Sequence, residues 1–276
     1  DLSGIEELIV VADGPLETLP FSLMVTDRGA DGRPGWLIED HAITTLPTTS
    51  SLRALRQGEV AQRGDDRRPF LGIAPVEFDS SDPDSTMRGA ALPSLPGTGD
   101  EVRLISAILG AGRDGTMIGP AASEANIKSA DLSRYEVLSF ATHGLLSREA
   151  KERTDGRITE TALALGAGDG DDGFLTASEA ATLRLNADWV VLSACNTAAG
   201  SGDDAQGLSG LARAFFFAGA RAMMVTHWYI DDAVTPALIG DTMERYATRD
   251  DMSRAQALRQ AQLAMLSDRD HAHPYY

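Results

Sequence analysis

Runs of mostly apolar residues, strand-length and not alternating with polar ones, recur along the chain at 8–12, 70–74, 137–142, 161–165, 188–194 and 222–228. A strand with one wet face alternates, whereas a strand buried on both faces does not. Stretches with helical patterning separate the runs, at 50–57, 100–110, 123–130, 176–183, 204–218, 233–247 and 252–266. Strands buried on both faces and interleaved with helices predict an α/β layered fold with a mostly parallel central sheet. The 276 residues and 43% hydrophobic content suffice for a sizeable core.

Charge narrows the partners. With 24 Lys and Arg against 41 Asp and Glu the net charge is −17, which repels a phosphate backbone and an anionic membrane surface, so neither nucleic acid nor membrane is expected. No stretch reaches the ~20 apolar residues of a membrane span, because 211–225 is broken by Arg213, Gly219 and Arg221. The first residues, Asp1-Leu2-Ser3-Gly4, show no signal peptide. Cys195 is the only cysteine. That fits a reducing compartment, with the cytoplasm as the expectation, and an Ala-, Gly- and Arg-rich composition suggests a bacterial source.

Two of the apolar runs end in reactive side chains: 137–142 leads into His143-Gly144, and 189–194 into Cys195. A lone cysteine at a strand end reads either as buried filler or as a reactive thiol. In open parallel sheets the ligand crevice lies at the carboxyl ends of the strands, so neighbouring strands would bring both residues to one rim. A histidine within reach of a thiol holds it as thiolate and later protonates a leaving amine. Gly144, without a Cβ, lets its N–H approach a substrate carbonyl, and together with the N–H of Cys195 it is the candidate oxyanion hole.

Phe140-Ala141-Thr142-His143-Gly144 and Val191-Leu192-Ser193-Ala194-Cys195-Asn196-Thr197 resemble the two active-site motifs of the CHAT domain, a caspase-like cysteine peptidase family. The resemblance continues through Gly207-Leu208-Ser209-Gly210-Leu211, Ala218-Gly219-Ala220-Arg221, Asp172-Gly173-Phe174-Leu175-Thr176 and His273-Pro274-Tyr275-Tyr276, and begins at Asp13-Gly14-Pro15. It implies a three-layer α/β/α sandwich of caspase-like type with a small N-terminal strand and hairpin section. The expected sections are residues 1–60 and a catalytic section at 70–276. It also implies a cysteine endopeptidase, with His143 as general acid/base and Cys195 as nucleophile. No cofactor or metal is implied; the partners are a peptide or protein substrate and a regulatory domain or protein, since helical repeats usually precede this domain.

Several residues depart from the family pattern. Thr226-His227-Trp228 stands where the family usually has Ser-Leu-Trp beside the bound substrate, so these three are candidate substrate contacts. Asp231 reads either as a helix cap or as a pocket carboxylate. The chain stops at Tyr276, short of the family's last strand, which reads as an excised module. The acidic run 169–173 lacks the spacing of a calcium loop and reads as a solvated turn, and 147–157 reads as a charged loop. The acidic segment 77–99, rich in Asp, Ser, Pro and Gly, reads as a mobile surface loop, and the apolar patch 19–24 reads, with the run 8–12, as the start of a sheet. A catalytically idle scaffold, and a thiol hydrolase or acyltransferase on a non-peptide substrate, remain the alternatives to a peptidase.

Overall fold

A computed structural model describes residues 2–12, 16, 19–28, 34–46, 66–78, 92–166, 171–195, 207–227, 234–249 and 251–268. They form two compact units, one of residues 1–63 with 237–276 and one of residues 64–236.

In the first unit β1 (Glu7–Val11) pairs in parallel with β4 (Ala42–Leu46), from Glu7 opposite Ala42 to Val11 opposite Leu46. Between them an antiparallel ribbon, β2 (Val25–Arg28) and β3 (Pro34–Trp36), leads into the one-turn helix α1 (Leu37–Asp40). The apolar patch at 19–24, expected to begin a sheet, instead contains a 3-10 turn over Phe21–Leu23, and the strand starts one residue past it. The helix Arg254–Ser267 packs on β4, opened by a capping box of Ser253 and Gln256. The Ser253 hydroxyl also donates to Glu7 at 2.9 Å, and Arg259 Nε donates to the Ile38 carbonyl at 2.7 Å.

The second unit runs β5 (Arg68–Ala74), α2 (Pro96–Ile108), β6 (Thr116–Ile118), α3 (Glu124–Ser129), β7 (Tyr135–Leu145) and α4 (Ser147–Arg153). It continues with β8 (Ala162–Ala164), β9 (Phe174–Thr176), α5 (Ala177–Ala180), β10 (Trp189–Cys195), α6 (Gly207–Ala218) and β11 (Met223–Val225). Its sheet has seven strands, with the parallel order β11-β10-β7-β5-β6. The antiparallel pair β8 and β9 extends it from the far end of β7. Helices flank this mostly parallel sheet, as the non-alternating runs require.

Each face has its own filling. Leu71, Ile73, Leu138, Phe140, Val190 and Leu192 point to one side, where Ile127 of α3, Ala180 of α5 and Leu211 and Phe215 of α6 complete a dry cluster. The Phe140 and Phe215 rings meet there at 5.2 Å between centroids. A fully buried side chain of this size contributes about 1.5–3 kcal/mol, so this face is a major source of the unit's stability. On the opposite face α2 presses so closely that a Cβ at Gly72 would lie 2.5 Å from the Val102 Cβ. The strands' amino ends are clamped by charge: Arg67 and Arg221 both reach Asp188, each at 2.9 Å.

Around β8 and β9 a second polar knot holds the chain. Glu124, 1% exposed, accepts from the Gly173 and Phe174 N–H groups at 2.8 and 3.1 Å and pairs with Lys128 at 2.5 Å. Lys128 also meets Glu179 at 2.7 Å and Asp171 at 3.1 Å. Burial pushes the Glu124 carboxyl up, against the pull of Lys128 and Gly173. Burial alone would also raise Glu179, but Lys128 and Thr176 outweigh it and hold that carboxyl below its usual range. Asp171 and Asp172 of the acidic run are thus occupied by Lys128 and by the Phe174 N–H.

Three further sequence expectations change. The charged stretch 147–157, expected as a loop, is helical over Ser147–Arg153, because one fully buried residue, Ala150, and an Arg153–Glu149 pair at 2.9 Å suffice for two turns. The helix expected from residue 100 begins at Pro96, with proline at its first position. The segment 77–99, expected as a mobile surface loop, has buried ends at Phe78, Leu92 and Leu95. The helix expected at 50–57 lies outside the described residues.

Gly72→Ala should lower the melting temperature of this unit by several degrees, the cost of forcing α2 off the sheet being about 1–3 kcal/mol; an unchanged melt would contradict the packing. For Glu179 the folded carboxyl titrates below the unfolded one, so its contribution is full above about pH 4.5 and is lost as pH falls through the folded value. Denaturant titrations of wild type and Glu179→Gln between about pH 3 and 6 should therefore converge on acidification. A constant difference would contradict that assignment.

Candidate active site

Parallel pairing of β7 with β10 runs in unbroken register from Val137 opposite Trp189 to His143 opposite Cys195. Partners in such a ladder sit about 4.8 Å apart and share a face of the sheet. The two candidate residues are therefore neighbouring backbone positions at the carboxyl rim. Gly144 follows His143 and pairs with Leu163 of β8, where the antiparallel extension begins. The Thr142 hydroxyl donates to the Ala164 carbonyl, tying the end of β7 to β8 from the buried side.

His143 is held from two directions. Its Nε2 lies 2.8 Å from the Pro93 carbonyl oxygen, and its ring packs against Phe78, with centroids 4.8 Å apart and planes tilted by 57°. A carbonyl oxygen only accepts, so the proton of the neutral ring sits on Nε2, which makes Nδ1 the ring's acceptor. Pro93 and Phe78 flank the acidic segment whose ends are buried, and Leu92 and Leu95 anchor it in a cluster with Leu145, Ala162 and Phe174. The chain leaves β5 through a tight turn at Val76, with φ of 63° and a Glu77 N–H bonded to the Pro75 carbonyl at 2.7 Å. Positive φ is costly for a β-branched residue, and such strain concentrates at functional sites.

β11 lies on the other side of β10, with Val225 opposite Leu192, and Thr226 and His227 follow it. Both are half-buried, and burial holds the His227 imidazole below its ordinary range, in the neutral form. Trp228 and Asp231 lie outside the described residues. Pro93 and Phe78 were missed in the sequence. A backbone carbonyl leaves no side-chain signature, and the polar stretch around Phe78 hid its burial.

A family model, the CHAT domain, matches residues 1–276, the whole chain. The chain belongs to the CHAT-domain family. The seven-stranded, mostly parallel sheet flanked by helices is the caspase-like architecture that goes with this CHAT membership. Tetratricopeptide repeat protein 28 of Homo sapiens is 24% identical over 259 residues, covering 84% of this CHAT chain. The chain spans 10% of that protein's length. Among the described residues no helix is long and apolar enough to cross a membrane.

A proton on Nε2 is checkable by long-range proton–nitrogen NMR of the neutral His143 ring. The expected pattern is the Nε2–H tautomer, and an Nδ1–H pattern would contradict the Pro93 contact.

Proposed function

We propose that this CHAT domain is a cysteine endopeptidase using Cys195 as nucleophile and His143 as general acid/base. The observation that carries the reading is the register of β7 and β10, with His143 opposite Cys195 at the carboxyl rim of a parallel sheet. Nδ1 of His143 takes the thiol proton, and the thiolate adds to the scissile carbonyl carbon. The N–H groups of Gly144 and Cys195 are the proposed donors to the tetrahedral oxyanion. Collapse breaks the C–N bond as His143 returns the proton to the departing amine, leaving a thioester. Water, deprotonated by His143, then releases the acid and the free thiol.

The sheet edge supports a peptide as substrate. β11 ends the strand order, so among the described residues its outer side is unpaired. An extended peptide can add there as a further strand, and Thr226, His227, Trp228 and Asp231 are the proposed contacts. The human relative carries tetratricopeptide repeats in its name and is ten times longer than the stretch matched here. That supports a CHAT module controlled by attached or partner helical repeats. A reducing compartment, the cytoplasm, suits a lone thiol nucleophile.

The test is cleavage of a fluorogenic peptide library, with and without repeat-containing partner proteins, by wild type, Cys195→Ala and His143→Ala. Turnover should disappear in Cys195→Ala and fall about 10²–10⁴-fold in His143→Ala. Equal turnover by wild type and Cys195→Ala would overturn the assignment, and silence of folded wild type under every condition would favour an idle binding scaffold.

A further inference from the structure

A carboxylate is kept in a protein interior only where hydrogen-bond donors meet it. Glu101 of α2 is 2% exposed, and its Oε2 accepts the Ser193 hydroxyl at 3.0 Å. Ser193 lies two positions before Cys195 on β10 and pairs with Ala141, two positions before His143. With the two-residue period of a strand, Ser193, Ala141, His143 and Cys195 occupy one face of the sheet. Glu101 therefore reaches the same face as the proposed dyad, one strand period below it.

The approach is prepared by small residues. Gly72 of β5 lets α2 settle at Val102, the residue next to Glu101, and the β7 positions beneath are Ser139 and Ala141, both 0% exposed. The Ser139 hydroxyl finds no hydrogen-bond partner among the described residues, so this stretch is polar without being fully satisfied. An apolar pair of the same volume would stabilise at least as well as a buried carboxylate and hydroxyl. The hydrogen bond from Ser193 to Glu101 adds instead a directional tether. It runs from a helix packed on β5 to the strand that carries Cys195.

We propose that Glu101 is a positioning residue for Cys195: through the Ser193 hydroxyl it fixes the end of β10 so that Cys195 stays level with His143. The proposal rests on the peptidase reading above. Because Cys195 is the only cysteine, iodoacetamide alkylation reports it alone, and the rate as a function of pH reports its thiolate. Wild type, Glu101→Ala, Ser193→Ala, their double variant, Glu101→Gln and His143→Ala are compared, with thermal melts recorded for each. Either alanine substitution should slow alkylation near neutral pH about fivefold or more, and the double variant should be no slower than the worse single, as for one shared interaction. Glu101→Gln, whose amide oxygen still accepts from Ser193, should stay within about twofold of wild type.

Ser193→Ala removes a single oxygen and carries the comparison if Glu101→Ala fails to fold. A purely structural pair would lower the melting temperature and leave the pH profile where it was, which would overturn the proposal. Additive effects in the double variant, or a Glu101→Gln profile as damaged as that of Glu101→Ala, would overturn it too. A wild-type profile untouched by His143→Ala would overturn the dyad itself, and the role of Glu101 with it. A His143-dependent profile shared by the Glu101 and Ser193 variants would remove the role of Glu101 alone.

Discussion

The parallel pairing of β7 with β10 is the constraint on which the rest of the candidate site depends. Seven consecutive pairs, ending at His143 and Cys195, leave no freedom in how these two positions meet. A slip of one residue would turn Phe140 and Leu192 out of the dry cluster and the polar positions into it, so burial enforces the register. The amino ends reinforce it. Asp188, just before β10, takes both Arg67 and Arg221, and its N–H bonds to the Glu136 carbonyl of β7 at 2.8 Å. Charge thus locks the strands at the end opposite the proposed dyad.

His143 connects two structural regimes. Its backbone belongs to the buried sheet, while its ring is oriented by Pro93 and Phe78, which come from the segment between β5 and α2. The tautomer of the imidazole is therefore set by a loop carbonyl. Cys195, by contrast, ends a strand tethered from α2 through Ser193 and Glu101. The two members of the proposed dyad are held by different parts of the unit, and the strained turn at Val76 is where the histidine's support leaves the sheet.

The strands were legible because burial on both faces removes alternation: 70–74, 137–142 and 188–194 were read directly from apolar runs and form β5, β7 and β10. Those strand ends also place His143 and Cys195 together on the sequence alone, since topology brings carboxyl ends of parallel strands to one rim. Elements of three or four residues, such as β6 and α1, fall below the length at which a period can be seen. The helix over Ser147–Arg153 was hidden by its charges, because only Ala150 is buried in it. The Glu101–Ser193 bond joins residues 92 positions apart, and the Pro93 contact uses a backbone atom. Neither leaves a mark in local composition.

The central claim is that Cys195 is a nucleophile whose reactivity depends on His143. The most direct measurement is intact-protein and peptide mass spectrometry after incubation with a panel of peptidyl acyloxymethyl ketones. These electrophiles need a bound peptide and an activated thiolate together. The account expects one adduct per chain, on Cys195, forming at least about 10²-fold more slowly in His143→Ala. Labelling of Cys195 at equal rates in both proteins, or adducts only elsewhere, would contradict it.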